Sequence, residues 1–96
     1  VTISTSATTV LNMGALVTSG DIAKGRYLIT VSRTAGTVGT AASSIFGLSS
    51  SGAIYEYETI NSNSMTLGVS GGNVTATAAS GSYAVHANAL PLSVDS

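Results

Sequence analysis

The chain has 96 residues, of which 44% are hydrophobic and 7% are charged, and its formal net charge is −1. An average soluble protein carries about 25% charged residues, so this chain has no basic field that would attract nucleic acid or an anionic membrane surface. It has no cysteine for a disulfide, and its single histidine argues against a structural metal. Every apolar run is interrupted far short of the roughly 18 residues that a membrane-spanning helix needs. We therefore expect one domain over residues 1–96, with no membrane insertion and a thin core that self-association would reinforce.

Alternation of apolar and polar residues with a period of two runs through most of the chain and predicts β-strands. In chain order these are two weaker edge strands, "VTIST" and "TTVLNM", followed by "RYLITVS", "SSIFGLSS", "AIYEYETI", "SMTLGVS", "NVTATAA" and "SYAVHANAL". Gly71-Gly72 fits a tight hairpin turn, and Pro91, which has no backbone donor, is expected to end the last strand. About seven or eight short strands at this spacing predict an all-β, antiparallel β-sandwich or barrel without a substantial helix.

The alternation also assigns side chains to faces of the predicted sheets. Tyr27, Ile29 and Val31 share one face of their strand, which we expect to be buried. In "AIYEYETI", Tyr55, Tyr57 and Thr59 are expected on one face, and the opposite face takes the remaining residues, Ile54, Glu56, Glu58 and Ile60. The segment "SGDIAKG" is the sole candidate for a helical turn, and a loop is the simpler interpretation.

The scarcity of charge is itself informative. Ser and Thr hydroxyls on the outward faces of strands bind water and cross-strand neighbours, so a neutral sheet is still wetted. A free monomer nevertheless normally keeps charged residues on its edge strands, where they oppose strand-to-strand association. We therefore expect neighbouring protein molecules to cover the edges and flat faces of this protein.

Residues able to carry catalysis are few. His86 could be combined with Asp95 or Glu56 and a serine into a triad, but "GLSSSG" at residues 47–52 is one residue too long for a nucleophile elbow. The glycines of "TAGTVGTAASS" are not followed by the Lys and Ser/Thr of a phosphate-binding loop. We expect a structural role for His86, and we assign no catalytic, cofactor-binding or metal-binding residue.

Glu56 and Glu58 lie two residues apart on one predicted strand and therefore on one face. Paired carboxylates serve glycosidases and calcium sites, but calcium takes about six or more oxygen ligands, and aspartates occur in this chain only at positions 21 and 95. Solvation, or pairing with Arg26 or Arg33 of a neighbouring strand or subunit, is the favoured interpretation.

Tyr55 and Tyr57 are the strongest candidates for contact with a partner, because tyrosine combines a broad apolar ring with a polar tip. The alternative is that both rings belong to the inner face of the sandwich, and the sequence leaves the two interpretations open. Arg33, Leu11 and Met13 complete the set of predicted partner-contact residues.

Three segments taken together resemble a known group of proteins: "DIAKGRYLITVS", "SSIFGLSSSGAIYEYE" and "TLGVSGGNVTATAASGSYAVHANALPLSV". Their order, their Ser/Thr/Gly-rich strands and the terminal "LPL" are similar to those of small β-sandwich domains on bacteriophage virion surfaces. These include jelly-roll capsid decoration (cement) proteins and the tips of tail and head fibres. The resemblance implies a non-enzymatic protein of the virion surface that binds the major capsid protein and copies of itself, as a trimer in preference to a dimer.

Two functions remain open at this stage. A cement protein would clamp adjacent capsid subunits on the exterior of the head, and its start at Val1 would follow from removal of an initiator methionine. A fibre tip would instead be the end of a longer chain, with Tyr55, Tyr57 or the loop at residues 33–44 contacting a host surface glycan. Neither function requires a cofactor.

Overall fold

The protein is described by a computed structural model that covers residues 1–34, 41–62 and 64–94, without the side chains of Ala41, Glu56 and Tyr57. The predicted turn glycines Gly36 and Gly39 lie outside the described residues, as does Asp95. The described residues form the following elements: β1 (Thr2–Ile3), β2 (Thr8–Asn12), α1 (Met13–Thr18), β3 (Gly25–Arg33), β4 (Ala41–Leu48), β5 (Ile54–Ile60), β6 (Met65–Ser70), β7 (Asn73–Ala78) and β8 (Tyr83–Val94).

The strands form two antiparallel sheets. The first contains five strands in the order β1-β8-β3-β4-β5, and the second contains three in the order β2-β7-β6. The two sheets face each other, with β6 against β4 and β5 and with β2 against β8. This arrangement confirms the predicted all-β sandwich, and each predicted strand segment corresponds to one of the eight strands.

Buried apolar side chains from both sheets form a cluster between them. The first sheet supplies Tyr27, Ile29, Val31, Phe46 and Leu48, and the second supplies Met65, Leu67, Val74, Ala76 and Ala78. Each large side chain that is fully buried stabilises the fold by about 1.5–3 kcal/mol relative to its exposed state. The prediction that Tyr27, Ile29 and Val31 line a buried face is confirmed.

The two buried tyrosines of the core keep their polar tips paired. The hydroxyl of Tyr27 donates to the carbonyl of Ala23, and the hydroxyl of Tyr83 donates to the carbonyl of Ser64. Because an unpaired buried hydroxyl is costly, these bonds also fix the loop before β3 and the turn before β6 against the core.

A short helix replaces the end of the second predicted strand. The prediction of a strand through "TTVLNM" is correct as far as Asn12, where the chain turns into α1. The Asn12 side chain accepts a hydrogen bond from the N–H of Ala15 at 3.0 Å and so caps the first turn of the helix. The "SGDIAKG" segment that follows α1 contains turns and bends, as the loop interpretation predicted.

Three glycines let separate parts of the chain meet backbone to backbone. At Gly72, an added Cβ would collide with the carbonyl oxygen of Gly52 and lie 2.9 Å from the Cα of Gly14. The N–H of Gly14 donates to the Gly72 carbonyl at 2.9 Å. The neighbouring Gly71 has φ +61°, as the predicted hairpin turn between β6 and β7 requires. This three-glycine contact joins α1, the turn between β4 and β5, and the β6–β7 hairpin.

The last strand does not end at Pro91, so this prediction is wrong. The N–H of Val85 donates to the carbonyl of Val1, on the side of β8 away from β3, whereas the carbonyl of Ala84 accepts from the N–H of Thr34. Backbone groups of alternate residues point to opposite sides of a strand, so the nitrogen of Pro91 also points away from β3. No hydrogen bond to β3 is lost there, and β8 continues to Val94.

Candidate interaction surface

The outer face of the five-stranded sheet, the face turned away from the second sheet, carries a row of apolar side chains. Leu28 on β3 lies directly opposite Leu90 on β8 and Ile45 on β4. Leu90 is 57% exposed and Ile45 is 42% exposed, and Leu28 between them is half-buried. This outer apolar row occupies the middle of the sheet, where three neighbouring strands each contribute one side chain.

A shallow hollow of about 130 Å³ lies beside the outer apolar row, where β4 pairs with β5. Its outward-facing lining includes Leu28, Ser43, Ile45 and Ile60, together with the exposed Glu58. Ile60, at the end of β5, is 74% exposed. A surface that combines apolar side chains, one hydroxyl and one carboxylate around a hollow fits a protein partner better than a charged small molecule.

Polar side chains surround the outer apolar row, and two of them are charged: Glu58 lies opposite Ile45, and Arg26 precedes Leu28 on the same face of β3. The remaining neighbours are uncharged. Thr30 lies opposite Asn88 and Ser43, and Ser32 lies opposite His86. Such hydroxyl and amide groups exchange hydrogen bonds with water at modest cost. Hydroxyl and amide groups, together with Arg26 and Glu58, therefore keep the outer face in contact with water around its apolar residues.

Tyr55 is placed by an irregularity that alternation does not reveal. The register between β4 and β5 shifts after Gly47, so that Leu48 pairs with Ile54 and Gly47 pairs with Glu56. Tyr55 is the extra residue of this bulge and is 53% exposed. The alternative that the Tyr55 ring belongs to the inner face is therefore wrong, whereas its role as a partner contact stays a prediction.

The same shift corrects the predicted position of Ile54. This residue was placed with the glutamates on one face, but it lies opposite the buried Leu48 and packs against the core. The backbone of Tyr57 pairs with that of Phe46, and the side chains of Tyr57 and Glu56 lie outside the described residues. The calcium and glycosidase interpretations of Glu56 with Glu58 therefore stay untested.

Two of the remaining predicted contact residues belong to the core. Met13, the first residue of α1, is fully buried, so the prediction that it contacts a partner is wrong. The sequence predicts a strand that runs through Met13 and leaves its side chain at the surface. In the structure β2 ends at Asn12, and Met13 begins α1 with its side chain in the core. Leu11 on β2 is half-buried and packs against the core, which leaves part of its side chain at the surface.

Arg33, at the end of β3, is held over an aromatic ring. Its guanidinium carbon lies 4.3 Å from the centroid of the Tyr83 ring, a distance at which the cation is attracted to the face of the ring. Arg33 is half-buried in this position. Its charge is thus engaged within the chain at this end of the sheet, and its role as a partner contact stays a prediction.

His86 lies on β8 with an exposed side chain, opposite Ser32 of β3. Over residues 1–34, 41–62 and 64–94, no group of three or more His, Asp or Glu side chains is arranged to hold a metal ion. Within the same ranges, no helix has the length and apolar character to cross a membrane. The feature that the described residues bring together is the outer apolar row and its hollow, which sequence reasoning did not single out.

Comparison with known proteins adds no relative. No protein-family model matches the chain, and neither a curated protein nor a solved structure is significantly similar to it.

Proposed function

We propose that the protein is a structural virion protein: a capsid decoration (cement) protein that binds the outer surface of a phage head and stabilises the shell. The observation that carries this proposal is the exposed outer apolar row, formed by Leu28, Ile45 and Leu90 in the middle of the five-stranded sheet. Continuous apolar surface on a small protein marks a site of contact with other protein. The resemblance of the sequence to virion-surface β-sandwich proteins supplies the class of partner.

The chemistry of this surface suits a protein that is repeated by symmetry. Burial of apolar area contributes about 25 cal/mol per Å², so one shallow row of this kind gives a modest free energy of binding. Many copies on one particle, each bound weakly, together resist the separation of the capsid subunits that they bridge. Neutral contacts of this kind are also insensitive to salt, because there are few charges to screen.

The proposed partners are the major capsid protein and further copies of the chain, and the proposed location is the exterior of the capsid. The row would lie flat on the capsid surface with its hollow receiving one apolar side chain of the capsid protein. Glu58 at the rim of the hollow would then face a donor of that protein.

The test uses heads of the phage that encodes the chain, stripped of the protein and mixed with purified variants. Ile45→Asp places a charge in the middle of the outer apolar row, and we expect it to abolish co-sedimentation with heads and the gain in their thermal stability. The matched control is Thr66→Asp, which adds the same charge at an exposed position of β6 in the other sheet. Equal binding by both variants would exclude the outer apolar row as the capsid contact.

A receptor-binding tip of a trimeric fibre is the second candidate, and one observation favours it. Tyr55 presents an exposed aromatic ring at a bulge on an edge strand, and such rings stack on sugars. The loop at residues 33–44 is another predicted glycan contact, and residues 35–40 of this loop lie outside the described residues. The mass of the intact gene product and its copy number in virions separate the two candidates. A short product as abundant as the capsid protein fits a cement protein, and a long product in few copies fits a fibre.

A further inference from the structure

Glu58 continues the outer apolar row by one strand. Leu90, Leu28 and Ile45 lie opposite one another on β8, β3 and β4, and Ile45 in turn lies opposite Glu58 on β5. The four residues therefore form one line across four neighbouring strands, with steps of about 4.8 Å from strand to strand. Three members of this line are apolar, and the fourth, on the edge strand of the sheet, is an exposed carboxylate.

The chain supplies no counter-charge next to this carboxylate. Neither β4 nor β5 contains a basic residue. Arg26 lies on β3, so that β4 separates it from β5, and Arg33 is held over the ring of Tyr83. Over residues 1–34, 41–62 and 64–94, no described side chain is hydrogen-bonded to or ion-paired with Glu58. Water therefore stabilises the Glu58 carboxylate in the monomer.

The closest described neighbours of Glu58 on the outer face are apolar. Ile45 is directly opposite, and Ile60, two residues along β5, is 74% exposed. Residues two apart on a strand share a face, and all three side chains line the hollow beside the outer apolar row. A partner that buries Ile45 and Ile60 therefore also removes water from Glu58.

The loss of this water decides which group of the partner must face Glu58. A carboxylate that leaves water without a compensating group is costly, whereas a carboxylate that meets a cation with hydrogen-bond donors keeps its charge. Lysine and arginine supply both the cation and the donors. Their long apolar stems can also pack along a side chain such as Ile60. Charge complementarity therefore selects a basic side chain as the group opposite Glu58.

The carboxylate also distinguishes the two ends of the line. At the other end the line stops at Leu90 on β8, and residues 66–94 contain no charged side chain. Three apolar side chains in a line would make similar contacts if the protein were rotated by half a turn on its partner. One carboxylate at one end removes this ambiguity, because the rotated arrangement places it against a part of the partner without a counter-charge.

We propose that Glu58 orients the protein on the capsid by forming an ion pair with a lysine or arginine of the major capsid protein. The capsid site then contains an apolar side chain, which enters the hollow, and a basic side chain next to it. This inference rests on the proposed function and adds the chemical identity of the residue that faces Glu58. The outer apolar row supplies most of the free energy of binding, and the ion pair fixes the direction in which the sheet lies.

The experiment measures the binding of purified variants to stripped heads. We expect Glu58→Gln to weaken binding about three- to tenfold at low salt, because the basic residue of the capsid protein loses its counter-charge. Glu58→Lys should weaken binding by more than about tenfold, since like charges then meet. The matched control is Thr66→Lys, which changes the net charge by the same amount as Glu58→Gln at an exposed position of the other sheet. It should bind as the wild-type protein does.

Salt dependence gives a readout that a change in packing alone would not move. Wild-type binding should weaken modestly as the salt concentration rises, because salt screens the ion pair, and Glu58→Gln should lack this dependence. Capsid mutations selected to restore the binding of Glu58→Lys should replace a lysine or arginine by an acidic residue. Circular dichroism of each variant checks that the fold is unchanged.

The outcomes separate this inference from the proposed function. If Ile45→Asp abolishes binding but Glu58→Gln keeps the wild-type affinity and salt dependence, the ion pair is excluded and the capsid contact through the outer apolar row stands. If the wild-type protein does not bind heads, both proposals are wrong. If Glu58→Gln reduces self-association in sedimentation equilibrium and leaves head binding unchanged, the carboxylate pairs with a second copy of the chain, and the inference is again overturned.

Discussion

Both faces of the strands β3 and β4 carry large apolar side chains, but the fold covers only one of these faces. Ile29 and Phe46 on the inner face are fully buried beneath the second sheet. Leu28 and Ile45 are their neighbours in sequence and point the other way, and Ile45 is 42% exposed. Hydrophobicity alone therefore does not decide burial in this chain, because the three strands of the second sheet and α1 suffice to cover one face.

This difference separates residues that stabilise the fold from residues that remain available to a partner. On the inner face a side chain gains contacts on every side, and its removal leaves a cavity. On the outer face a side chain of similar size gains little within the monomer, so its contribution is realised only when another protein covers it. Mutations on the two faces should accordingly affect different measurements.

Phe46→Ala is expected to have the largest effect. Removing this fully buried ring should lower the free energy of unfolding by about 3–5 kcal/mol, as measured by urea denaturation. Ile45→Ala, one residue away on the outer face, is the control and should change it by about 0.5 kcal/mol or less. If the Phe46→Ala chain does not fold, Phe46→Leu tests the same difference between the inner and outer faces with a smaller loss of stability. Equal losses on both faces would mean that the outer face is packed within the monomer.

Gly72→Ala tests how the second sheet is held over the inner face. The new methyl group would collide with the carbonyl of Gly52 in the three-glycine contact, and we expect a loss of about 1–3 kcal/mol from this overpacking. Gly71→Ala in the same turn meets no atom within 4 Å and should cost about 1 kcal/mol through its positive φ. Thermal denaturation compares the two variants. A smaller loss for Gly72→Ala would contradict the close backbone contact.

Most of the fold could be predicted from the sequence because strands leave a direct signal. Alternation identified the eight strands that the described residues form, and Gly71-Gly72 identified the β6–β7 hairpin. Two local features of the strands cannot be read from the alternation of apolar and polar residues. The bulge at Tyr55 places Ile54 opposite the buried Leu48 and not on the face of Glu58, and the outward direction of the Pro91 nitrogen depends on how β8 pairs with β1.

The interaction surface was harder to predict for a related reason. Alternation placed Tyr27, Ile29 and Val31 on the buried face of β3, but it did not show that Leu28 on the opposite face aligns with Leu90 and Ile45 of the two neighbouring strands. Met13 illustrates the opposite error, because a capping side chain at Asn12 turns a predicted strand into a helix and its exposed residue into a core residue. The alignment of side chains across neighbouring strands depends on contacts between residues far apart in the sequence, and a local pattern does not contain these contacts.

Ser44→Ala should have the smallest effect and the opposite sign. Ser44 lies on the inner face at 2% exposure, and its hydroxyl has no hydrogen-bond partner among the described residues. A buried hydroxyl without a partner has lost its bonds to water, so its removal should raise the free energy of unfolding by up to about 1 kcal/mol. Ser43→Ala on the outer face keeps water at that position and should leave stability unchanged in the same urea titration. A loss of stability in Ser44→Ala would contradict this prediction. It would mean that the Ser44 hydroxyl makes a hydrogen bond, and that water or a polar group reaches the inner face.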